Sequence, residues 1–278
     1  MLYLVGTPIG NLSDLSPRAK DTLNEVDLIA CEDTRRSGLL LAAFGIKKPL
    51  ISYHEHNRSS RGQLLLRHLL EGKNIALVSD AGMPCISDPG SDLVNLCVDN
   101  NIPVEVIPGP VAAIAALVLS GLDSRRFLFE GFLPPDGRER KERIAQLAEN
   151  RCTSILYEAP HRIVRTLGDL AKAGLNDRRV AICRELTKRY EEVLRMSVAE
   201  ALLHFSEQPP RGEFVLVIDA CTSNISSERM EIPEESKAER VSQLQENGLP
   251  TKEMAGILAK EWGITKKEAY SFIIKMIN

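Results

Sequence analysis

Two short segments place acidic and basic side chains where they could take part in proton transfer. The segments are CEDTR (31–35) and CRELTK (183–188), and each begins at the end of an apolar run that predicts a strand. A carboxylate at such a strand end can remove a proton from a weak nucleophile, and a cation can polarise the attacking oxygen. Asp33, Glu185 and Lys188 are therefore candidate catalytic residues. Asp33 could instead cap the following helix, and Glu185 with Lys188 could form an ordinary ion pair.

A third segment, SDAGMPCISDPG (79–90), combines acids, glycines and prolines after the apolar run Ile75–Val78. The run has no polar alternation and is too short for a buried helix, so it predicts a strand covered on both faces, as in a parallel sheet. The loop would then lie beyond the carboxyl end of that strand, where open α/β sheets bind their ligands. A tight turn that happens to be rich in glycine and proline is the alternative.

The same succession of strand, loop and helix occurs twice more in the first half of the chain. Leu2–Val5 predicts a strand, followed by a Gly-Thr-Pro loop and a helix that begins near Ser16; Val104–Ile107 predicts another, followed by Pro-Gly-Pro and a helix from about Val111. This repetition predicts βαβ connectivity and an α/β fold. These loops lack the lysine of a phosphate-binding loop and the GxGxxG spacing of a dinucleotide site, which excludes ATP or NAD binding of those kinds.

The pattern divides the chain into four parts. Residues 1–121 predict an N-terminal α/β domain, and residues 122–222 alternate strand-like and helix-like segments that predict a second α/β domain with a mixed sheet. The polar residues 223–235 predict a linker. Residues 236–278 predict a small helical appendage, similar to a helix-turn-helix, made of two short helices.

Composition narrows the class of protein. The 278 residues are 44% hydrophobic and 26% charged, as in a globular protein. No apolar run approaches the length of about 18 residues that a membrane span requires. The first residues predict a strand and not a signal sequence, so we expect a cytoplasmic protein. The six cysteines are scattered and form no Cys-x-x-Cys pair, which favours free thiols in a reducing compartment.

Eight segments occur in the order found in one known family. They are LYLVGTPIGNLSDLS (2–16), ACEDTRRS (30–37), SYHEHN (52–57), LVSDAGMPCISDPG (77–90), VIPGPVAA (106–113), LYEAPHR (156–162), CRELTKRYEE (183–192) and RGEFVLVI (211–218). In these segments the chain resembles the tetrapyrrole methylase superfamily, and within it the bacterial methyltransferases of small-subunit ribosomal RNA. The resemblance implies two α/β domains with a cofactor cleft between them, S-adenosylmethionine as cofactor, and a homodimer. It also implies methylation of the ribose 2'-hydroxyl of a cytidine in 16S rRNA of the small ribosomal subunit.

The resemblance further implies a set of cofactor-binding residues at matching positions. They are Pro8, Asp80, Gly82, Met83, Val111, Ala112, Tyr157, Leu186, Gly212 and Glu213. Gly82 would permit a close approach of the backbone to the ligand, and Met83 and Tyr157 would offer apolar surface to an adenine or a thioether. For Met83 and Leu186, packing in the core is the alternative.

An RNA substrate is at odds with the formal net charge of -3 and the isoelectric point near 6.0. Local basic clusters can nevertheless attract phosphates, and the candidates for RNA contact follow the second and third strands: Arg35, Arg36, His54, Asn57, Arg58 and Arg61. These side chains could instead be a solvated surface. The helical appendage could likewise contact RNA or serve only for packing.

No metal site is expected. His54 and His56 share one face of a possible strand, but no third ligand is evident from spacing. Methyl transfer from a sulfonium also needs no metal.

Two other functions are compatible with the same segments. One is a methyltransferase of the same fold that acts on a tetrapyrrole or another small molecule, and the other is a non-catalytic RNA-binding assembly factor. The basic clusters and the helical appendage argue against the first. Binding of S-adenosylmethionine would argue against the second.

Overall fold

The computed structural model describes residues 1–221, 234–246, 249–262 and 265–277. The chain forms two compact units, Met1–Cys221 and Thr222–Asn278. The predicted linker, 223–235, lies outside the described residues except for its last two, which begin a helix at Glu234. In the described part of the chain no helix is both long enough and apolar enough to cross a membrane.

The first sheet is entirely parallel, with the strand order β3-β2-β4-β1-β5. Its strands are β1 (Leu2–Val5), β2 (Leu28–Cys31), β3 (Leu50–Ser52), β4 (Ile75–Val78) and β5 (Val104–Ile107). The helices between and after them are α1 (Pro17–Glu25), α2 (Thr34–Ala43), α3 (Arg58–Leu70), α4 (Ser91–Asp99) and α5 (Ala112–Ser120). Every residue of β4 is buried, which confirms the prediction from its unbroken apolar run.

The second sheet is mixed, as predicted, with the strand order β6-β7-β10-β8-β9. Its strands are β6 (Phe127–Phe132), β7 (Thr153–Glu158), β8 (Arg179–Arg184), β9 (Glu192–Ser197) and β10 (Phe214–Ile218). β6 pairs with β7 in parallel and the remaining pairs are antiparallel. The accompanying helices are α6 (Gly137–Glu149), α7 (Ile163–Leu170) and α8 (Val198–Glu207).

Helix α5 connects the two sheets. Its residues Ala113, Ala116 and Leu117 are buried in one apolar cluster with residues of the second sheet, among them Ile155 and Val217. The helix ends at Ser120 and is followed by Gly121, the last residue of the predicted N-terminal domain. The last helix of the first βαβ series thus packs on the second sheet.

The C-terminal unit contains three helices in its described residues, whereas the sequence predicted two. They are α9 (Glu234–Glu246), α10 (Thr251–Glu261) and α11 (Lys266–Ile277). Helix α9 was missed because it is largely polar, yet Val241 and Leu244 are buried with Leu258 and Ile273 of the other helices. The predicted turn at Gly263 lies outside the described residues.

Candidate functional site

A cleft of about 430 Å³ opens at the carboxyl ends of β1, β2 and β4, facing the second sheet. Eight of the ten predicted cofactor residues line it: Asp80, Gly82, Met83, Val111, Ala112, Tyr157, Leu186 and Glu213. The other two do not. Pro8 is buried, and Gly212 packs against a side chain outside the cleft, where an added Cβ would lie 2.7 Å from Cγ of Glu185. Residues from both sheets therefore meet in one concave site, as expected for a ligand pocket.

Three loops cross closely at the base of this cleft. Thr7 and Gly82 exchange backbone hydrogen bonds of 2.9 and 3.1 Å, which join the loop after β1 to the loop after β4. A Cβ added to Gly6 would lie 2.6 Å from Sδ of Met83 and 2.7 Å from Cα of Gly109. Glycine is required here because the loop after β5 passes too close for any side chain.

Tyr157 links the two sides of the cleft. Its hydroxyl accepts a hydrogen bond of 3.2 Å from the backbone N–H of Ala113, near the start of α5. Its ring makes edge contacts with Phe129 and Phe132, at 5.2 and 5.6 Å between centroids. Phe132 also lines the cleft and was not predicted, because nothing in the sequence distinguishes it from an ordinary strand residue. These rings give the cleft an apolar wall of fixed orientation.

Three carboxylates, Glu32, Asp80 and Asp88, line the cleft in the loops that follow β2 and β4. Asp80 accepts a hydrogen bond of 3.0 Å from Arg36 and one of 3.2 Å from the backbone N–H of Asp33. Burial, and then the charges of Glu32 and Asp80, raise the pKa of Asp88 to about 7. Burial followed by the charge of Asp80 also raises the pKa of Glu32. Asp88 was not predicted, although the repeated Ser-Asp in segment 79–90 was a signal for it.

Asp33 does not line the cleft. Its carboxylate caps the start of helix α2, which was the alternative to a catalytic role. Its carboxylate accepts a hydrogen bond of 2.8 Å from the backbone N–H of Arg35 at the start of α2, and it pairs with the Arg35 guanidinium at 2.8 Å. The hydrogen bonds from the Arg35 side chain and backbone hold the pKa of Asp33 well below its usual range. Such a carboxylate is a weak base, so this geometry does not support the catalytic role predicted for Asp33.

Glu185 and Lys188 form the ion pair that was the alternative to catalysis. The ammonium of Lys188 lies 2.9 Å from Glu185 and 2.8 Å from Glu213, and Glu185 also accepts the backbone N–H of Glu213 at 3.0 Å. Burial acts against both charges, but these hydrogen bonds outweigh it, lowering the pKa of Glu185 and raising that of Lys188. Both groups are therefore held in their charged forms, which makes Glu185 a weak base and keeps Lys188 the cation that polarising an oxygen would require. Neither side chain lines the cleft.

This ion pair instead shapes the loop that presents Leu186 to the cleft. Glu185 and Thr187 have φ angles of +52° and +64°, in the left-handed region that residues other than glycine rarely adopt. Leu186 lies between them, is 6% exposed and lines the cleft. The two glutamates and Lys188 hold this strained backbone in place, which is the usual condition for strain to persist at a binding site.

The predicted RNA contacts lie along the first turns of α2 and α3 and the loop before α3. Arg35 and Arg36 are largely exposed but paired with Asp33 and Asp80, and Arg36 also lines the cleft. Arg58 pairs with Glu55 at 3.1 Å. Arg61 is exposed and forms no ion pair with any other residue that the structure describes. The basic surface is thus partly neutralised, and Arg61 is its least engaged member.

His54 and Asn57 hold the loop before α3 together. Oδ1 of Asn57 accepts the backbone N–H of His54 at 2.9 Å, and its Nδ2 lies 3.1 Å from Nε2 of the same histidine. Asn57 also donates to the carbonyl of Ser52 at 3.2 Å. Among the residues with described side chains, no three His, Cys, Asp or Glu are grouped as metal ligands. The side chains of His54 and Asn57 are thus engaged within the loop that carries the basic surface.

The chain is similar to known proteins at two levels. The family described as Tetrapyrrole (Corrin/Porphyrin) Methylases matches residues 1–202. A relative from Synechocystis sp. (strain ATCC 27184 / PCC 6803 / Kazusa), named ribosomal RNA small subunit methyltransferase I, is 47% identical over 99% of this chain and 98% of its own length. A relative of the same name from Thermotoga maritima is 46% identical over 78% of this chain and 97% of its own length. Uroporphyrin-III C-methyl transferase from Thermus thermophilus, complexed with S-adenyl homocysteine, has a similar fold with a TM-score of 0.56 and 19% identity, covering 78% of this chain and 96% of that one.

Proposed function

The chain belongs to the tetrapyrrole methylase family, among the ribosomal RNA small subunit methyltransferases I, and from this premise we propose its reaction. It transfers a methyl group from S-adenosylmethionine to the ribose 2'-hydroxyl of a cytidine in 16S rRNA of the small subunit. The observation that carries the proposal is the 47% identity to a relative of that name over 99% of the chain. Such a substrate places the protein in the cytoplasm, with the ribosomes.

The cleft suits S-adenosylmethionine in size and charge. Its volume of about 430 Å³ lies in the range of small-molecule sites, roughly 300–1,000 Å³. The carboxylates of Glu32 and Asp80 complement a ligand with a sulfonium and an ammonium group, and the rings of Tyr157 and Phe132 offer apolar surface to an adenine. When bound, the cofactor supplies a methyl group that its positive sulfur has already activated.

The chain's own residues orient the reactants and exclude water. The backbone at Gly82 and the paired loops at the base fix one wall, and the loop that carries Leu186 fixes the other. Holding a hydroxyl and a methyl group in line lowers the barrier by removing the entropy of their encounter. Arg36 belongs both to the cleft and to the basic surface formed by the predicted RNA contacts, because it lines the cleft while most of its side chain is exposed.

Calorimetric titration with S-adenosylmethionine tests the first part of this proposal. We expect saturable binding of one ligand per chain, and competition by S-adenosylhomocysteine, because both molecules present the same adenosine to the cleft. A chain that is folded by circular dichroism but gives no binding heat at any temperature contradicts a cofactor site and favours the non-catalytic assembly factor.

Arg61→Gln is expected to weaken binding to small-subunit RNA and to reduce the slope of log affinity against log salt by about 1, because one phosphate contact is lost. Affinity for S-adenosylmethionine should not change, since Arg61 does not line the cleft. Filter binding over a salt series measures the first effect, and calorimetry the second.

Arg67→Gln is the matched control for this substitution. Arg67 is exposed on the same helix, near its C-terminal end and away from the sheet edge. Equal RNA affinity of Arg61→Gln and wild type at every salt concentration would mean that this surface is merely solvated.

We further propose that the protein is a homodimer that uses the outer face of α5. This helix is almost wholly apolar: its inner face packs on the second sheet, while Ile114 and Val118 are 44% and 73% exposed. Phe127 and Leu128 on β6, an edge strand, are also exposed. Exposed apolar surface on a helix that is almost wholly apolar commonly marks a protein interface.

Val118→Glu is expected to convert a dimer into a monomer, because it places a charge in the centre of this apolar face. Light scattering at micromolar concentration measures the mass of both proteins. Leu203→Glu, at a similarly exposed leucine on α8, is the control and should leave the mass unchanged. A wild-type protein with the mass of one chain contradicts the dimer.

A further inference from the structure

Asp88 occupies a loop that is held unusually tightly at the cleft. Cys85 and Ser87, just before it, have φ angles of +71° and +62°, in the left-handed region. On one side, a Cβ added to Gly90 would lie 2.5 Å from Sγ of Cys85; on the other, a Cβ added to Gly131 of β6 would lie 3.0 Å from Oγ of Ser87. Such strain in non-glycine residues persists where the surroundings fix it, and it concentrates at functional sites.

Five carboxylates line the cleft, and most of them are not available as a base. Three are paired with a cation: Asp80 with Arg36 at 3.0 Å, Glu158 with Arg162 at 3.2 Å and Glu213 with Lys188 at 2.8 Å. Glu32 and Asp88 form no ion pair with any described residue. Of these two, Glu32 directly follows β2 of the first sheet, whereas the loop of Asp88 reaches β6 of the second sheet, where Ser87 lies against Gly131. Asp88 is therefore the unpaired carboxylate that faces the space between the sheets.

The charges around Asp88 favour its protonation near neutral pH. Burial is the largest cause that raises its pKa to about 7, followed by the negative charges of Glu32 and Asp80. The titratable and charged groups that face it or line the same cleft are Glu32, Arg36, Asp80, Cys85, Tyr157, Glu158 and Glu213. A base is most effective when its pKa lies near the pH at which the enzyme works.

We propose that Asp88 is the base that accepts the proton of the ribose 2'-hydroxyl, an inference that rests on the proposed function. The O–H bond breaks and its proton passes to a carboxylate oxygen of Asp88, while the electron pair of the ribose oxygen forms the new bond to the methyl carbon. The pair of the broken carbon–sulfur bond stays on sulfur, which becomes neutral. Asp88 then returns the proton to water, so charge and atoms balance.

Asp88→Asn keeps the shape of the side chain and removes the base. Its single-turnover rate with small subunits should fall about 10²- to 10⁴-fold, the usual contribution of a general base, while calorimetry should show S-adenosylmethionine affinity within about tenfold of wild type. The wild-type rate should rise with pH up to about 7 as Asp88 ionises, and this dependence should vanish in Asp88→Asn. Asp21→Asn, exposed on α1, is the control with unchanged rate and profile.

Glu32→Gln distinguishes the two unpaired carboxylates. If Asp88 is the base, removing the like charge of Glu32 lowers the pKa of Asp88, and the rising limb of the single-turnover profile, measured at saturating S-adenosylmethionine, moves to lower pH. Loss of the limb in Glu32→Gln, or a wild-type rate and profile in Asp88→Asn, overturns the proposal and leaves the proposed function intact. A wild-type protein that binds the cofactor but methylates no small-subunit RNA contradicts the proposed function itself.

Thermal unfolding gives a readout that is independent of activity. Because the pKa of Asp88 is raised on folding, the folded chain holds this proton more tightly than the unfolded chain, and stability falls as pH rises from about 4 towards 7. Asp88→Asn removes this penalty, so it should raise Tm over wild type by about 2–4 °C more at pH 8 than at pH 5.5. The same difference in Tm at both pH values would show that Asp88 titrates normally and would overturn the proposal.

Discussion

Gly82→Val is expected to weaken binding of S-adenosylmethionine about 5- to 150-fold, which corresponds to about 1–3 kcal/mol of overpacking. Gly82 lines the cleft with a φ of +90°, and an added Cβ would lie 3.4 Å from Cγ2 of Ile9, which lines the same cleft. The two further methyl groups of valine would fill space that the ligand needs. Methyl transfer should fall in parallel at limiting cofactor, and calorimetry measures the affinity directly.

Gly72→Val is the matched control for the strain that valine suffers at a positive φ. Gly72 has a φ of +87°, close to that of Gly82, but nothing lies within 4 Å of an added Cβ. Both variants should lose stability by about 1–2 kcal/mol from the left-handed backbone. Only Gly82→Val should lose cofactor affinity, so equal affinities in the two variants would contradict the placement of the ligand beside Gly82.

Gly109→Ala is expected to destabilise the fold by about 3 kcal/mol and to lower Tm by about 6–12 °C. Its Cβ would lie 2.8 Å from Cα and 2.9 Å from the carbonyl carbon of Gly6, which are backbone atoms that cannot rotate away. The loops after β1 and β5 would have to separate, and the base of the cleft would widen. Thermal unfolding followed by circular dichroism measures the effect, and cofactor affinity should fall with it.

Gly38→Ala provides the contrast for this substitution. Gly38 lies in helix α2, where an added Cβ meets only Cδ1 of Leu50 at 3.9 Å. Alanine favours the helix, so stability should rise by about 0.5–1 kcal/mol. If Gly109→Ala were as stable as Gly38→Ala, the close crossing of the two loops would be wrong.

Two strands inside the first sheet, Leu2–Val5 and Ile75–Val78, could be predicted because burial on both faces leaves an unbroken apolar run. The edge strand Val104–Ile107 is only partly buried, and it was indicated by the turn and helix that follow it. Leu2–Val5, Ile75–Val78 and Val104–Ile107 were predicted with the bounds that the structure has. Strand ends in a parallel sheet meet at one edge, so the loops that follow them could also be expected to build one site. The family resemblance then selected individual positions in those loops and in or beside strands of the second sheet, and eight of these positions line the cleft.

The roles of the acidic residues could not be predicted in the same way, because they depend on distances between segments far apart in the chain. Spacing left Asp33 open as base or cap, and the 2.8 Å contact with the Arg35 backbone that favours the cap forms only in the folded chain. Glu185 accepts a hydrogen bond from the backbone N–H of Glu213, because the segment of Gly212 and Glu213 packs against it in the folded chain. Asp88 acquires its raised pKa from burial and from Glu32 and Asp80, which approach it only in the folded chain.

Methyl mapping on ribosomal RNA tests the central claim most directly. Small subunits from cells that lack this protein are incubated with the purified chain and S-adenosylmethionine with an isotopically labelled methyl group, and the RNA is then digested and examined by mass spectrometry. The proposed function predicts a single labelled 2'-O-methylcytidine in 16S rRNA, and none without the protein. Label on a base, or no label in the RNA while a porphyrinogen offered in parallel becomes methylated, would contradict it.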